Sequence, residues 1–288
     1  ADPDGPPTWG AKPYAVEVLE APATVLVKLS RAGAGLCGKL AMIELAGGGN
    51  YRTTAASLTG PCLNPWNRSR WAGGSSSGSA AAVAAGLVPF ALGSETSGSI
   101  VTPAAFCGVT ALRPTYGLVS RAGAMALSWT LDKIGPFART AEDCGHILQA
   151  IAGGDSLDPG SARKGFRYTP QYTKPPGQYA AAFAPSDFED AADPLIRPAL
   201  QDALRVLREI GVRLQPAQLP DLPYGAAIST IISAEGSTAF RGLIESGRVE
   251  ELADARQIAG LKAGLEIPAW QYLEAMRVRR HAQAEFAR

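Results

Sequence analysis

Apolar residues recur at helical or strand spacing in the N-terminal half of the chain. Residues 23–32 place their apolar side chains on one side and predict a helix that ends at Gly33. Residues 34–45 predict a short buried strand or turn that leads into another helix. The alanine-rich run 80–85 predicts a closely packed helix, and the apolar run 87–92 that follows is typical of a buried strand.

Polar and turn-forming residues separate these segments from the rest of the chain. Residues 53–71, rich in Asn, Pro, Arg and Ser, predict a loop, and the Pro-, Gly- and Lys-rich residues 155–177 predict a boundary or a surface excursion.

Two further helices are predicted. Residues 140–152 open with a Thr-x-x-Asp start that resembles a capping box and continue as an amphipathic helix. Residues 269–288 predict a last helix.

A strand, a helix and a second strand are predicted in succession in the C-terminal half. The first strand begins at Ala180, and Asp193 and Pro194 supply the N-cap and first-turn proline of a helix that ends at Gly211. Residues 212–220 continue as the second strand. Four residues are predicted to line the buried face of the helix: Leu200, Leu204, Leu207 and Ile210. This order predicts α/β packing with at least part of the sheet parallel.

The composition narrows the class of protein. With 46% hydrophobic and 18% charged residues, a chain of 288 residues can bury the core of one or two globular domains. The formal net charge of +1 favours neither direct nucleic-acid binding nor attraction to anionic lipid. No segment approaches the roughly 18 consecutive apolar residues of a membrane span, and the first residues lack a secretory-signal pattern. We therefore expect a soluble cytoplasmic protein with no direct nucleic-acid partner and no membrane partner.

Four cysteines and two histidines restrict the metal chemistry that the chain can support. The cysteines lie far apart without CxxC spacing, which predicts free thiols in a reducing compartment rather than a zinc site. His146 and His281 are the only histidines, so a His-based metal site or a Ser-His-Asp mechanism is hard to assemble. We expect no metal and no cofactor.

Two segments rich in serine and glycine, residues 73–79 and 93–99, carry the candidate chemistry. Such segments are often flexible linkers, but both are short and lie beside apolar runs. Consecutive small residues let backbone N–H groups approach a bound ligand closely, as in an oxyanion hole. Residues 74–78 match the GxSxG nucleophile elbow and residues 33–38 match GxGxxG, but neither follows the buried strand that these motifs require.

The run Gly73–Cys144 resembles the amidase signature family in many consecutive residues, including GGSSSGS, GSETSGSIVTP and LDKIGP. The similarity covers residues 7–155 best. It implies a single domain over residues 1–288 with an α/β fold, in which a mixed central β-sheet is covered by helices on both faces. Residues 1–155 would form the signature core with the catalytic segments, and residues 156–288 the substrate-side portion. Because family members are longer, we expect this domain to be incomplete at both ends, with its C-terminal part absent.

The family uses a Ser–cis-Ser–Lys triad, which the resemblance places on residues of this chain. Its nucleophile corresponds to Ser99, and its proton-relaying serine, preceded by a cis peptide bond, corresponds to Ser75. The backbone N–H groups of Thr96, Ser97 and Gly98 correspond to its oxyanion hole. A serine hydroxyl needs a base within hydrogen-bond reach, and here the relay would pass its proton to a neutral lysine.

The catalytic lysine of the family has no match in this chain. The family places it in a Lys-Asp pair upstream of the segment that corresponds to PTWGA, residues 7–11, and hence before residue 1. Four lysines stand in other sequence contexts: Lys12, Lys28, Lys39 and Lys133. We therefore expect either an N-terminally truncated sequence or a protein that lacks its base.

The resemblance implies an amidase that hydrolyses a carboxylic amide to an acid and ammonia through a serine acyl-enzyme. A small-molecule amide would be its substrate, and a homodimer is a candidate assembly. Val101, Thr102 and Pro103 resemble a bacterial amidase subgroup, and Asp132 in the LDxxGP segment is expected to hold loops near the site. Two alternatives stay open: the glutaminase (A) subunit of a tRNA-dependent amidotransferase, which works with partner subunits, and a catalytically inactive family member.

Overall fold

The computed structural model describes residues 5–17, 21–47 and 53–287 of the chain. Backbone contacts divide the chain into two units. Unit 1 comprises Ala1–Tyr168 and Ile228–Ala275, and unit 2 comprises Thr169–Ala227 and Met276–Arg288. The junction after Tyr168 lies inside the proline- and glycine-rich segment that is predicted as a boundary or surface excursion.

A three-stranded antiparallel sheet in the order β3-β5-β4 forms the centre of unit 1. β3 (Phe90–Glu95) pairs along its whole length with β5 (Lys133–Ala138), from Phe90↔Ala138 to Glu95↔Lys133. The short β4 (Thr110–Ala111) pairs with the end of β5. Side chains alternate between the two faces of a strand, and nearly all of β5 is buried, so both faces of the sheet are covered.

Helices pack on both faces of this sheet. Two of them, α2 (Ser77–Ala84) and α3 (Val101–Cys107), share a core cluster with Phe137 of β5. On the other face, α1 (Thr24–Arg31) and α4 (Ala141–Ile151) pack against the alternate residues of β5. The predicted α/β class with helices on both faces of a sheet is confirmed, while the paired strands of the described residues form three separate sheets rather than one.

The predicted signals for helix ends are present. α4 begins after Thr140, whose side chain accepts a hydrogen bond from the Asp143 N–H at 3.1 Å, as its capping pattern predicts. α1 ends two residues before Gly33, and α2 ends two residues before Gly86. These three predicted helices are confirmed.

The remainder of unit 1 is mostly helical. α8 (Arg241–Glu245) and α9 (Ala255–Gly264) lie in a region with its own core cluster around Leu45 and Phe240. α7 (Tyr224–Ala239) and α10 (Ala269–Phe286) each contribute residues to both units. Short 3₁₀ turns occur along the whole chain, at Lys12–Tyr14, Glu44–Ala46, Pro176–Gln178 and Arg248–Glu251.

Unit 2 contains one strand–helix–strand arrangement. β6 (Ala180–Phe183) and β7 (Arg213–Pro216) pair in parallel and are connected through α5 (Pro185–Glu189) and α6 (Arg197–Glu209). The predicted parallel pairing is confirmed. α6 begins later than predicted, because the Asp193 side chain accepts the Leu195 N–H at 2.8 Å in a turn that precedes the helix. Of the four residues predicted to be buried on α6, only Leu204 is buried; Leu207 is 36% and Ile210 51% exposed.

Three local predictions were wrong. The predicted loop 53–71 contains an antiparallel hairpin of β1 (Leu63–Asn64) and β2 (Asn67–Trp71), whose second strand is mostly exposed and therefore shows no alternation of apolar residues. Residues 34–43 form neither strand nor helix, and only a 3₁₀ turn follows them. β3 is shifted by three residues from the predicted strand 87–92, and it continues through the small and polar residues Gly93, Ser94 and Glu95, which an apolar run does not include. Within the described ranges, no helix is long and apolar enough to cross a bilayer.

Candidate active site

The two serine–glycine segments meet side by side in unit 1. The first leads into α2 and the second runs from β3 to α3. The Ser76 N–H donates to the Ser99 carbonyl at 3.2 Å. The Ser76 hydroxyl donates to the Ser94 carbonyl and accepts the Ser94 N–H, both at 3.1 Å. Three hydrogen bonds therefore fix one segment to the other, and neither is a linker.

Ser75 lies at the start of the buried turn before α2. The Gly74–Ser75 peptide bond is cis, as the resemblance implies for this position. The Ser75 side chain is fully buried, and its Oγ has no hydrogen-bond partner among the described residues. The Ser75 carbonyl accepts the Ile43 N–H at 3.1 Å, which holds the backbone of this turn in place.

The glycines before Ser75 allow this close packing. A Cβ atom on Gly74 would lie 2.6 Å from the Trp71 ring, and one on Gly73 would lie 2.7 Å from the Pro103 backbone. Gly73 also has φ of +81°, a conformation that L side chains rarely adopt. The turn therefore requires small residues at both positions.

Ser99 is 2% exposed and immediately precedes the N-cap of α3. The preceding residues are more open: Ser97 is exposed, and Thr96 and Gly98 are partly buried. The Gly98 carbonyl accepts the Thr102 N–H at 2.8 Å, which joins this segment to the first turn of α3. The predicted site residues thus lie within two adjoining segments, in which Ser75 and Ser99 are buried and Ser97 is exposed.

Glu95, at the end of β3, holds the segment on its inner side. Its Oε2 accepts the N–H groups of Ile100 at 2.8 Å and Val101 at 3.0 Å. Its Oε1 accepts Arg113 Nη1 at 3.0 Å. The side chain is 1% exposed, so these donors replace the water that the carboxylate has lost.

Burial and hydrogen bonding have opposite effects on the pKa of Glu95. Burial raises its pKa, but hydrogen bonds from backbone N–H groups and from Arg113 outweigh burial and leave the pKa below its ordinary value. The Gly98 N–H also acts to lower this pKa.

Asp132 and Lys133 hold the same segment from the other side. Thr96 Oγ1 donates to Asp132 Oδ1 at 2.5 Å, and Lys133 Nζ donates to the Thr96 carbonyl at 3.1 Å. The other Asp132 oxygen accepts the N–H groups of Leu127 and Ser128 at 2.8 and 2.9 Å. Burial raises the pKa of Asp132, opposed by these hydrogen bonds. Asp132 therefore joins the loop at Leu127 and Ser128 to the segment, which is the role expected from the sequence.

Two cavities border Thr96 and Lys133. One, of about 400 Å³, is lined by Ser97, Arg113 and Thr115 together with apolar side chains. The other, of about 210 Å³, is mainly apolar and is lined by Met125, Trp129 and Leu157 among others. Both open beside residues predicted to form the oxyanion hole.

The lysines singled out in the sequence contact other groups. Lys28 Nζ donates to three carbonyls at the end of α4, of Ile151, Ala152 and Gly153, at 3.0–3.3 Å. Lys39 Nζ donates to the Gly5 carbonyl. No lysine in the described ranges is a hydrogen-bond partner of Ser75 Oγ.

Potential metal ligands lie apart from one another. In the part of the chain that the structure describes, no group of three His, Cys, Asp or Glu side chains converges on a point. The four cysteines are free thiols, and burial raises the pKa of Cys107 and Cys144 to about 11. These two thiols are therefore protonated near neutral pH.

The sequence drew attention to Ser75, Ser99 and the segment between β3 and α3, and the structure places these residues together. It missed Glu95 and Lys133, which hold that segment. A signal for Glu95 was present, since an acidic residue at the end of a short apolar strand needs buried donors. Lys133 binds a backbone carbonyl, which no sequence pattern identifies.

Comparison with known proteins gives a consistent result. A family profile described as Amidase matches residues 4–287. The A-type subunit of the glutamyl-tRNA(Gln) amidotransferase of Heliobacterium modesticaldum is 42% identical over 218 residues, which is 75% of this chain and 44% of that protein. The chain thus spans less than half the length of this relative.

Solved structures share the fold. One, from a study of the evolutionary origins of an s-triazine catabolic enzyme, superposes with a TM-score of 0.83 at 32% identity and covers 99% of this chain and 61% of that one. The A-type subunit of the glutamyl-tRNA(Gln) amidotransferase of Thermotoga maritima superposes with a TM-score of 0.81 at 31% identity. The match covers 97% of this chain and 61% of that one.

Proposed function

The chain belongs to the amidase family, and on that premise we propose that it supplies the nucleophile and proton relay of an enzyme that hydrolyses a carboxylic amide to an acid and ammonia. Ser99 is the nucleophile, Ser75 the relay, and the backbone N–H groups of Thr96, Ser97 and Gly98 the oxyanion hole.

The proposed reaction has two halves. Ser99 Oγ attacks the amide carbonyl while its proton passes to Ser75 and then to a base, which is a lysine in this family. Backbone N–H groups stabilise the oxyanion, and removal of one such donor typically costs about 3 kcal/mol. The amide nitrogen takes up a proton and leaves as ammonia. Water then attacks the acyl-enzyme, releasing the acid and returning the proton to Ser99.

The observation that carries the proposal is the state of the Ser75 hydroxyl. It is fully buried, has no hydrogen-bond partner among the described residues and lies in a segment bonded to the Ser99 segment. A buried hydroxyl without a partner costs about 1–3 kcal/mol. A relay accounts for it, because Ser99 and a base would supply both partners during the reaction.

The direct test is a serine-to-alanine series in the full-length protein. Ser99→Ala is expected to abolish hydrolysis of simple amides, and Ser75→Ala to lower kcat by at least a hundredfold, since general-base assistance typically contributes about 10²–10⁴. Ser69→Ala, on the exposed strand β2, is the matched control. A covalent serine probe read by mass spectrometry should label Ser99. Near wild-type activity of Ser99→Ala would contradict the proposal.

A second candidate function is that of the glutaminase (A) subunit of a tRNA-dependent amidotransferase. The 42% identity to the A-type subunit of such an enzyme favours it. In that case glutamine hydrolysis would appear only when the partner proteins of the complex are added. Activity of the isolated full-length protein on other amides would instead favour a free-standing amidase. A single domain over residues 1–288, a homodimer and a cytoplasmic location stay predictions from the sequence.

A further inference from the structure

Glu235 is a buried carboxylate to which the proposed reaction gives no role. It lies in the part of α7 that belongs to unit 1, and it is 1% exposed. A carboxylate that has left water needs hydrogen-bond donors in its place. The residues that supply these donors therefore show which part of the molecule Glu235 holds.

Each oxygen of Glu235 accepts two hydrogen bonds. Oε2 accepts the Ser128 hydroxyl at 2.6 Å and the Thr130 N–H at 3.1 Å. Oε1 accepts the hydroxyls of Thr130 at 2.8 Å and Tyr272 at 2.7 Å. Three of these four donors belong to Ser128 and Thr130, so Glu235 mainly holds the loop of residues 127–132, which leads into β5.

Ser128 connects Glu235 to Asp132. Ser128 is fully buried and uses its hydroxyl to bind Glu235. Its N–H donates to Asp132 Oδ2 at 2.9 Å, and its carbonyl accepts the Asp132 N–H at 2.8 Å. The position of the Asp132 carboxylate is therefore fixed by a residue that Glu235 itself holds in place.

Asp132 in turn binds the proposed oxyanion hole. Its Oδ1 accepts the Thr96 hydroxyl at 2.5 Å, and the Thr96 N–H is one of the proposed oxyanion donors. Such a donor stabilises an oxyanion only if it is directed at the atom on which the charge develops. A misplacement of about 1 Å in a catalytic group can cost up to a hundredfold in rate. The orientation of Thr96 therefore matters to the reaction, and α7 is joined to Thr96 by consecutive hydrogen bonds.

We propose that Glu235 is a positioning residue for amide hydrolysis, which fixes the orientation of the Thr96 N–H through Ser128 and Asp132. This inference rests on the proposed function and concerns a residue that does not take part in the bond-making steps. The oxyanion is present in the transition state and absent from the bound substrate. Loss of the Glu235 contacts should therefore lower kcat and leave KM nearly unchanged.

The test is a double-mutant cycle in the full-length protein. Glu235→Gln keeps the volume of the side chain but replaces one acceptor oxygen with an NH₂ group, so some of its hydrogen bonds must break or reverse. We expect kcat, measured per molecule that a covalent serine probe can label, to fall roughly tenfold. Thr96→Val keeps the backbone N–H and removes the hydroxyl that Asp132 binds. In that background Glu235→Gln should lower kcat by less than about threefold.

The cycle distinguishes positioning from a general structural role. A general structural role lowers kcat by the same factor in both backgrounds, and that result would overturn the inference. Asp254→Asn is the matched control, because Asp254 is also a buried carboxylate, 3% exposed, but caps α9 through the Arg256 N–H. It should leave kcat unchanged. A loss as large as that in Glu235→Gln would also count against the inference.

A conservative pair at Thr130 tests the loop contact directly. Thr130→Val keeps the shape of the side chain and removes the hydroxyl that binds Glu235. Thr130→Ser keeps a hydroxyl. We expect Thr130→Val to lower kcat and Thr130→Ser to retain most of it, with KM nearly unchanged in both. Equal kcat values for the two variants would contradict a role for this hydrogen bond.

Hydrogen exchange separates this inference from the proposed function. If the full-length protein hydrolyses no amide, the proposed function fails, but the positioning of Thr96 by Glu235 can still be measured. In Glu235→Gln the amides of residues 127–132 and of residues 96–98 should both exchange at least about threefold faster than in the wild type. Asp254→Asn should change neither. Unchanged exchange of residues 96–98 in Glu235→Gln would show that Glu235 does not position them.

Discussion

At the residue scale, Glu95 connects the end of β3 to the first turn of α3 through a carboxylate that is almost fully buried. Glu95→Gln keeps the shape of the side chain. It leaves one oxygen to accept the hydrogen bonds that two carboxylate oxygens accept now, and it removes the negative charge beside Arg113. We expect a loss of about 2–3 kcal/mol in the free energy of unfolding. Urea denaturation of both proteins measures it, with the exposed Glu274→Gln as control.

The pH dependence of this loss has a defined sign. The folded-state pKa of Glu95 lies below its ordinary value of 4.5, so its stabilisation is fully present above that pH. The stabilisation is lost as pH falls through the lowered folded-state pKa. The difference in stability between wild type and Glu95→Gln should therefore be constant from neutral pH to about 5 and shrink in more acidic solution. A difference that grows on acidification would show that another group is responsible.

Sequence reasoning located the two serines and expected Asp132 to hold loops near them, but it missed Glu95, Lys133 and the contacts that Asp132 makes, for a physical reason. Ser75 and Ser99 lie in compact motifs whose small residues are adjacent in the sequence. Asp132 and Lys133 reach Thr96 across 36 and 37 residues, a contact created by the pairing of β3 with β5. Such contacts depend on the strand register, which the sequence alone did not specify.

At the element scale, β5 is packed so closely that one of its residues can only be glycine. A Cβ atom on Gly135 would lie 2.1 Å from the Leu112 carbonyl and 2.8 Å from Pro114 Cδ. Gly135→Ala should therefore separate β5 from the chain after β4. We expect a loss of at least about 2 kcal/mol in the free energy of unfolding, within the range found for overpacked cores.

The same substitution in α9 should have the opposite effect. Gly260 lies inside this helix, and a Cβ atom there would meet nothing within 4 Å. Gly260→Ala should stabilise the protein by about 0.5–1 kcal/mol, since alanine loses less backbone entropy in a helix. Thermal denaturation of the two variants measures both effects. Equal shifts in Tm would contradict the packing argument for β5.

The elements predicted best were those with clear end signals and either one apolar face, as in α1 and α4, or small residues on all sides, as in α2. α1, α2 and α4 combine small or apolar residues with a glycine or a capping threonine at one end. The hairpin of β1 and β2 escaped prediction because four of the five residues of β2 are exposed. A strand that buries neither face leaves no hydrophobic periodicity in the sequence.

At the scale of the whole molecule, buried apolar residues are distributed unequally between the two units. Unit 1 contains three core clusters around its sheet and helices. In unit 2, only Leu204 and Ala227 are buried among the described hydrophobic residues. A two-stranded sheet such as β6-β7 is marginally stable unless it packs on a larger apolar surface. The apolar periodicity of α6 predicted a buried face. Periodicity shows that a helix is amphipathic, but it does not show whether another element covers its apolar side chains.

This inequality predicts different opening free energies in the 288-residue chain. α4 and α6 are a matched pair, since both are amphipathic helices, of 11 and 13 residues. α4 has five buried residues and α6 has one. Local opening of α6 therefore exposes much less apolar surface and costs less free energy. Hydrogen exchange read by mass spectrometry, corrected for intrinsic rates, should show the α6 amides exchanging at least about tenfold faster than those of α4. Equal protection would mean that α6 opens only when α4 does, and that the buried apolar area of unit 2 alone does not set its stability.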